Sequence, residues 1–335
     1  MNSKIKKIIK IFDDRLLSTK KIDITETILI AGSPRSGTTW LMEMLGGIPS
    51  YRSLFEPLNP NRYPESFKIG FRSRTYRPID MEWSDGEDYL RRTFAGKVFI
   101  SDPKQFYIND PKEIFYSIFS NKIIVKEVRI NRLLPWIGRR FKLKAIILLL
   151  RHPCAVISSQ IKTGYTAYHP DEQFYRNVIP NIKNIIEEAN KIDGLDQKII
   201  NKLKNLETPE ERLAATWCLD TYLPLYTSAS HPWMTIIYER CFQKGQQDII
   251  SIFNAIGQKR IPRAVLRNMK MPSRMTNKSE GKTIQSGEKQ LAKWRQSLTE
   301  HQITRILRVV SDFGLDFYTK DAEPNYELLN KEKII

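Results

Sequence analysis

The chain has 335 residues, of which 41% are hydrophobic and 27% charged, and its formal net charge is +17. The apolar fraction allows a buried core and excludes global disorder, while the excess of Lys and Arg predicts an anionic partner. The three cysteines and four histidines are scattered along the chain, which argues against a disulfide framework and against a zinc or iron site.

Residues 1–24 form a basic extension in which Lys and Asp interrupt the apolar runs. We therefore expect no signal peptide, no membrane-spanning helix and a cytoplasmic location. Residues 4–12 have the pattern of a short basic amphipathic helix, which would allow at most peripheral contact with an anionic membrane.

The first strand is predicted at Ile28–Ala31, a short apolar run that ends at Gly-Ser-Pro. Helical composition resumes at Thr39–Leu45 and stops at Gly46. The loop that begins at Gly32 and reads GSPRSGTT therefore joins a strand to a helix. In that context the N–H groups of a loop and of a helix N-terminus bind phosphate.

This loop is close to the Walker A pattern G-x-x-x-x-G-K-[ST], but Thr38 replaces the Lys that reaches the β- and γ-phosphates of a triphosphate. The cation of the loop is Arg35 instead, and Gly37 permits close approach of backbone to phosphate. The loop is thus predicted to bind phosphate without hydrolysing ATP or GTP. Its phosphate ligands are predicted to be Arg35, Ser36, Gly37, Thr38 and Thr39.

A second strand–turn–helix unit follows at Ala145–Leu150, a continuous apolar run typical of a central parallel strand, and Ala155–Lys162. Arg151 emerges at the carboxyl end of this strand, where ligands of open α/β sheets bind. Ser159 lies about two helical turns further on, so a guanidinium and a hydroxyl could converge on one phosphate. We interpret His152 as a turn residue. Two such sites predict a ligand with separated phosphates, such as a 3′,5′-bisphosphorylated nucleotide.

Further strands are predicted at 123–125 and 234–238, and long helices at 172–191, 209–226 and 298–313. Strands that alternate with helices predict an α/β fold, in which a P-loop-containing parallel sheet of four to five strands carries helices on both faces. We expect one domain over residues 1–335. Residues 57–85 and 271–290 lack a clear period and are predicted to form loops around the substrate or cofactor.

The segment PRSGTTWL, which ends just beyond Trp40, resembles the 5′-phosphosulfate-binding loop of the sulfotransferase family. LRHP and the following helix resemble the 3′-phosphate motif of that family, although His152 stands where Asp or Asn is commoner. Arg35 stands where cytosolic sulfotransferases usually have Lys, and in this the chain is similar to Golgi-type carbohydrate and tyrosylprotein sulfotransferases. The resemblance implies 3′-phosphoadenosine 5′-phosphosulfate (PAPS) as co-substrate, the bisphosphate PAP as product, and no metal.

Shorter matches extend the resemblance along the chain. LFEP resembles the Glu-Pro segment of carbohydrate sulfotransferases, which implies that Glu56 is the catalytic base; a plain ion pair with an arginine is the alternative. VKEVR resembles their Lys-x-x-Arg stretch, which makes Lys126 a further cation near the reacting groups, with a solvated strand end as the alternative. IYER resembles the segment whose tyrosine, Tyr238 here, lies near the adenine. The implied catalytic residues are Glu56, Arg35 and Lys126, and the implied cofactor ligands outside the phosphate loop are Trp40, Arg151, Ser159 and Tyr238.

The acceptor class depends on the resemblance, which favours a carbohydrate or glycolipid; another small molecule, neutral or anionic, is the alternative. Three other functions are considered, of which a non-catalytic member of the fold that only binds its ligand is disfavoured by the intact loops. A P-loop kinase of a small molecule is disfavoured by the missing Walker Lys, and a basic nucleic-acid-binding protein is not supported by any zinc finger or RNP1-like segment, so no nucleic acid partner is expected. The arginines and aromatic rings that could contact the acceptor are Arg62, Lys68, Arg72, Arg74, Arg77, Tyr63, Phe67, Phe71 and Tyr76.

Overall fold

The computed structural model describes residues 20–98, 120–165, 179–226, 231–243, 247–271, 273, 288–332 and 334–335. Within these ranges five strands form one sheet. The strands are β1 (Ile28–Ala31), β2 (Tyr51–Phe55), β3 (Lys122–Glu127), β4 (Ala145–Leu150) and β5 (Trp233–Ile237). Every neighbouring pair is parallel, so the predicted α/β fold with a parallel sheet of four to five strands is confirmed.

The strand order is β2-β3-β1-β4-β5. The chain leaves β1 toward one edge of the sheet, returns through β3, and then crosses so that β4 lies on the other side of β1. The order therefore reverses between β1 and β4, and a crevice at the carboxyl ends of the strands beside such a reversal is where open α/β sheets bind ligands. The loops that follow β1 and β4 begin at Gly32 and Arg151, the two segments predicted to bind phosphate.

Helices connect the strands and cover the sheet. In the described chain they are α1 (Thr38–Leu45), α2 (Pro64–Ile69), α3 (Ser84–Phe94), α4 (Leu134–Arg140), α5 (Pro153–Lys162), α6 (Ile182–Asn190), α7 (Gln197–Leu203), α8 (Pro209–Tyr226), α9 (Tyr238–Gln243), α10 (Gln247–Ala255), α11 (Arg263–Met269), α12 (Glu288–Leu291), α13 (Glu300–Asp312) and α14 (Tyr326–Lys331). Short 3-10 turns lie at Ile24–Glu26, Asn131–Leu133 and Lys293–Gln296. Among these described helices, none combines the length and the apolar character needed to cross a bilayer.

The buried core lies on both faces of the sheet. Successive residues of a strand point to opposite faces, and β1 shows this directly: Leu29 packs in one apolar cluster and Ile30 in the other, and both are fully buried. The first cluster receives side chains from α5, α8 and α13, and the second from α1, α10 and α11. The prediction of helices on both faces is confirmed.

The observed elements differ from the predicted ones at a few places. Strand β2 is not predicted from the sequence, and the predicted loop 57–85 contains α2 and the start of α3. This loop is packed on the core, since Leu58, Tyr63 and Phe71 are buried. Of the helix predicted at 172–191 the structure shows α6, and the rest, like most of the N-terminal extension and of the loop 271–290, falls outside the described residues.

Candidate functional site

The loop between β1 and α1 has the geometry of an anion cradle. Gly37 is the N-cap of α1 and has a φ of 99°, a left-handed conformation that favours glycine. A Cβ at this position would lie 2.5 Å from Cε2 of Tyr238, so glycine is required for space as well. The first helical hydrogen bond runs from the Leu41 N–H to the Gly37 carbonyl over 3.0 Å. The N–H groups before Leu41 therefore have no acceptor within the helix and can bind an anion.

The hydroxyl of Ser36 is buried and has no hydrogen-bond partner among the described residues. A buried polar atom without a partner costs about 1–3 kcal/mol, and a phosphate oxygen would remove this cost. Thr38 and Thr39 follow at the start of α1, and their side chains are largely buried as well. The residues of this loop therefore fit a bound phosphate or sulfate ester.

The two predicted anion sites contact each other. Arg35 donates from Nε to the Ser159 hydroxyl over 2.9 Å, and Arg151 donates from Nη1 to the Arg35 carbonyl over 3.1 Å. Gln160, on the same helix as Ser159, donates to the Pro34 carbonyl over 3.1 Å. The structure thus brings Arg35, Arg151 and Ser159 together at the strand-order reversal.

Aromatic rings form a wall beside the loop. The guanidinium of Arg151 lies 4.3 Å from the ring centre of Tyr238. The rings of Tyr238 and Trp40 are in an edge-to-face arrangement, with ring centres 5.9 Å apart and an angle of 76° between the ring planes. Phe242 completes the group, 4.9 Å from Trp40 and 4.7 Å from Tyr238 between ring centres. Flat apolar surfaces of this kind suit a purine base.

Glu56 lies at the carboxyl end of β2, in a buried ion-pair cluster. Its Oε1 is 2.7 Å from Nζ of Lys126, and its Oε2 is 3.2 Å from Nη1 of Arg129. The Glu56 N–H donates to the Lys126 carbonyl over 2.8 Å. The alternative considered for Glu56, an ion pair with an arginine, is therefore present, whereas Lys126 is buried and not the solvated strand end considered as its alternative. Arg129, which was not nominated from the sequence, contacts both Glu56 and the next carboxylate.

That second carboxylate is Glu127, which holds the ends of β2 and β3 together. It accepts hydrogen bonds from the N–H groups of Leu58 at 2.7 Å, Val128 at 2.8 Å and Arg129 at 3.0 Å. Burial raises the pKa of Glu127, and the nearby Arg129 opposes that rise. Within this cluster the carboxylates of Glu56 and Glu127 form ion pairs with Lys126 and Arg129. Elsewhere too, within the part of the chain that is described, no group of three His, Cys, Asp or Glu could hold a metal ion.

Asn131 holds the start of the phosphate loop through a side-chain hydrogen bond. It was not singled out from the sequence. Its Oδ1 accepts the Gly32 N–H over 2.9 Å, and its Nδ2 donates to the Asp220 carbonyl over 3.3 Å. Both bonds are buried and join parts of the chain that are far apart in sequence. Nothing in the sequence around Asn131 signals this contact, which only the packing of α8 against the sheet creates.

His152 is a structural turn residue, as predicted. It is the N-cap of α5, and its Nδ1 accepts the Cys154 N–H over 3.1 Å. Its Nε2 lies 3.0 Å from the Thr319 carbonyl, which assigns the proton to Nε2. Burial lowers the pKa of His152 to about 4, so the ring is neutral near pH 7. Beside it, burial raises the pKa of Glu239 to about 7, while that carboxylate accepts the His152 N–H over 2.9 Å.

The residues predicted to contact the acceptor are divided between several places. Arg62 is buried with its guanidinium 4.9 Å from the Phe55 ring centre, and Lys126 lies 4.5 Å from the same ring, so Arg62 adjoins the Glu56 cluster. The others lie elsewhere. Arg74 is 3.7 Å from a carboxylate oxygen of Asp220, and the guanidinium groups of Arg72 and Arg77 lie over the rings of Phe67 and Trp83. The Tyr76 hydroxyl donates to Asp193, Tyr63 and Phe71 are buried, and Lys68 is exposed.

Comparison with known proteins gives matches among solved structures only. No model of a known protein family matches the chain, and no curated protein matches it. The sulfotransferase domain from the curacin biosynthetic pathway is 17% identical with a TM-score of 0.47, over 90% of this chain and 98% of that one. The sulfotransferase domain of the Synechococcus olefin synthase is 17% identical with a TM-score of 0.47, over 88% and 96%. A mouse sulfotransferase solved with PAP is 14% identical with a TM-score of 0.41, over 90% and 88%. At such TM-scores these likenesses decide nothing about this chain, whose fold is established by its own sheet topology.

Proposed function

We propose that this protein is a sulfotransferase that uses PAPS as sulfuryl donor. The observation that carries the proposal is the contact between the two anion-binding segments, Arg35 to Ser159 and Arg151 to the Arg35 carbonyl. A nucleotide with phosphates at both the 5′ and 3′ positions matches two adjacent anion sites, whereas a nucleoside triphosphate places its charges in one row. The Thr38 that replaces the Walker Lys supports the same choice.

Each group of residues has a separate task in binding. The loop N–H groups, the Ser36 hydroxyl and Arg35 would hold the 5′-phosphosulfate, and Arg151 with Ser159 would hold the 3′-phosphate. Tyr238 and Trp40 would pack against the adenine. When bound, PAPS supplies a sulfuryl group whose bond to the 5′-phosphate oxygen breaks as the bond to the acceptor oxygen or nitrogen forms.

The chain's own residues would promote this transfer by electrostatics and by removal of a proton. Arg35 and the loop N–H groups would stabilise the negative charge that develops on the leaving phosphate. Glu56 would accept the proton of the acceptor hydroxyl or amine. Lys126 and Arg129, 2.7 and 3.2 Å from its oxygens, hold the Glu56 carboxylate in position at the end of β2.

Calorimetry with PAP and ADP, each with and without magnesium, tests the nucleotide assignment. We expect PAP to bind at least about tenfold more tightly than ADP and independently of magnesium. Arg151→Ala should weaken PAP binding by about 10- to 100-fold, because a charged hydrogen bond contributes about 1.5–3 kcal/mol. Arg139→Ala, in which an arginine with a 63% exposed side chain is removed, is the matched control and should bind PAP normally. Magnesium-dependent preference for ADP would instead indicate a kinase.

Glu56→Gln tests the base. With PAPS and a panel of galactosides and N-acetylglucosaminides as acceptors, we expect turnover to fall about 10²- to 10⁴-fold while PAP affinity stays within about twofold. Glu65→Gln makes the same chemical change at an exposed carboxylate that pairs with Arg92 and should leave turnover unchanged. Normal turnover in Glu56→Gln would show that another group takes the proton. A carbohydrate acceptor is the class we propose first, from the resemblance to carbohydrate sulfotransferases.

A further inference from the structure

Helix α11 carries a basic stripe on its outer side. Val265 is fully buried, and Ala264, Asn268 and Met269 are partly buried on the inner side. The exposed residues follow the helical spacing i, i+3, i+4 and i+7 and therefore share one face. This stripe consists of Arg263, Leu266, Arg267 and Lys270.

Exposed residues also flank the helix directly in sequence. Lys259 and Arg260 precede the helix and Met271 follows it, and all three are exposed. No Asp or Glu occurs anywhere in residues 249–279. Some exposed cations elsewhere are paired, as Arg91 is with Glu87, whereas none of the ion pairs found among the described residues involves the cations of this surface. The surface therefore carries an excess of positive charge.

The stripe ends beside the phosphate loop, because α11 runs antiparallel to α1. The Met269 carbonyl accepts from Trp40 Nε1 over 3.3 Å near the start of α1. Asn268 Nδ2 donates to the Glu43 carbonyl over 2.9 Å, and at the other end a Cβ on Gly47 would lie 2.8 Å from the Val265 nitrogen. Lys270 and Met271 are consequently at the same end of α1 as the candidate nucleotide site.

Two exposed apolar side chains lie among the cations of this surface. Leu266 is 38% exposed and Met271 is 51% exposed, and they are among the few large apolar residues of the described chain that face solvent. Cations that can bind lipid phosphates, set beside apolar side chains that can enter the acyl boundary, are the features of a surface that lies on an anionic bilayer. A nucleic acid would bind the cations through its phosphates, but its bases stack on aromatic rings and not on the side chains of Leu or Met. The apolar residues of this surface therefore favour a membrane.

We infer that the surface formed by the α11 stripe, Lys259, Arg260 and Met271 docks on a membrane that contains anionic phospholipid. Docked in this way, the protein holds the phosphate-loop end of α1 close to the bilayer surface, so that a membrane-borne acceptor could reach the candidate site. The docking depends only on this surface and not on the proposed transfer reaction.

Sedimentation of the protein with vesicles of phosphatidylcholine, with and without phosphatidylserine, tests the inference. We expect binding to the phosphatidylserine vesicles that weakens as salt is added. The triple variant Arg263→Gln, Arg267→Gln, Lys270→Gln should bind about 100-fold more weakly, at about fivefold for each cation removed. Leu266→Ser with Met271→Ser should bind several-fold more weakly and keep the salt dependence, since it removes only apolar contact.

The matched control neutralises three exposed lysines near α6 and α7, whose apolar residues pack in the cluster on the opposite face of the sheet: Lys183→Gln, Lys191→Gln and Lys198→Gln. It loses the same charge and should bind the vesicles within about threefold of the wild type. Equal losses in the two triple variants would overturn the inference, as would equal binding to vesicles of phosphatidylcholine alone. Tighter binding to a mixed-sequence duplex DNA that the α11 variant abolishes would assign the surface to nucleic acid instead. Unfolding temperatures equal to the wild type show that the variants fold, and failure of this test leaves the PAP measurements unaffected.

Discussion

Arg35 and Glu56 both have left-handed backbone conformations, with φ values of 76° and 48°, although neither is glycine. Such conformations are uncommon for non-glycine residues and persist where surrounding contacts determine them. Arg35 is held by its bonds to Ser159 and Arg151, and Glu56 by Lys126 and Arg129. Of the three described non-glycine residues with a left-handed φ, the third being Ser50 at 72°, two are thus the residues proposed for charge stabilisation and proton removal, and backbone strain tends to cluster at such sites in enzymes.

Gly37 gives a prediction at the same scale. In Gly37→Ala the new methyl group would lie 2.5 Å from the Tyr238 ring, so the ring or the loop must shift. The alanine would also have to adopt a φ of 99°, which is unfavourable for any residue with a Cβ. We expect the free energy of unfolding to fall by about 2–4 kcal/mol and PAP binding to be lost, as measured by urea unfolding and calorimetry.

Gly194→Ala is the control, because Gly194 has a φ of 78° and nothing within 4 Å of its added Cβ. Its free energy of unfolding should fall only by the cost of the left-handed conformation, about 1 kcal/mol, and it should bind PAP normally. Equal effects of the two variants would mean that the contact with Tyr238 does not shape the loop.

At the scale of the elements, the carboxyl edge of the sheet collects the site because every strand is parallel. Ala31 is opposite Glu127, and Phe55 is opposite Lys126, so Gly32, Glu56 and the end of β3 lie at one level. Asn131, in the turn after β3, then joins the phosphate loop to α8 through Gly32 and Asp220. Three elements far apart in sequence are fixed by one side chain.

Asn131→Ala should therefore loosen the phosphate loop. It leaves the buried Gly32 N–H without its acceptor, which is expected to lower the free energy of unfolding by about 1–3 kcal/mol and to weaken PAP binding about tenfold. Thr221→Val is the control, because the buried Thr221 hydroxyl has no partner among the described residues and its loss should be nearly neutral. If both variants are equally stable and both bind PAP normally, Asn131 does not support the loop.

The elements that the sequence predicted well are those whose signal is local. The apolar runs of β1 and β4, each followed at once by a turn and a helix, locate the phosphate loop and Arg151. Strand β2 (YRSLF) was missed because it is short and contains a polar Arg and Ser, as expected for the edge strand that it is. Helix α3 was not predicted at all, because its first residues fall in the aperiodic segment 57–85 and the rest is polar.

The contacts of the site could be predicted only in part. The order of the motifs indicated that Arg35, Arg151 and Ser159 serve one ligand, since parallel strands end at one edge. The bonds Lys126–Glu56 and Asn131–Gly32 span 70 and 99 residues, and no pattern within a short window encodes a pairing at that separation. Arg129 could have been found as the second cation of VKEVR, but its choice of Glu56 and Glu127 depends on the register of β2 with β3.

At the scale of the whole molecule, two buried titratable groups beside the second anion site oppose each other in their effect on stability. Burial lowers the pKa of His152 to about 4, below the value of about 6.5 for an exposed histidine. The unfolded chain therefore binds a proton that the folded chain rejects, and the folded state loses stability as the pH falls from about 6.5 toward 4. Burial raises the pKa of Glu239 to about 7, so this carboxylate acts in the reverse sense, and stability is lost as the pH rises above about 4.5.

His152→Asn separates the two contributions, because Asn is a good N-cap and keeps an acceptor for the Cys154 N–H while it removes the titrating ring. Its unfolding free energy relative to that of the wild type should increase by about 2 kcal/mol between pH 7.5 and pH 4.5, since a pKa difference of one unit corresponds to about 1.4 kcal/mol. The loss of the stacking between His152 and Trp294 lowers stability equally at both pH values and cancels in this difference. His301→Asn, at an exposed histidine on α13, is the matched control for removal of one histidine. Urea unfolding of the three proteins at the two pH values measures the effect, and the same pH-dependent change in both variants would show that the buried ring of His152 is not its source.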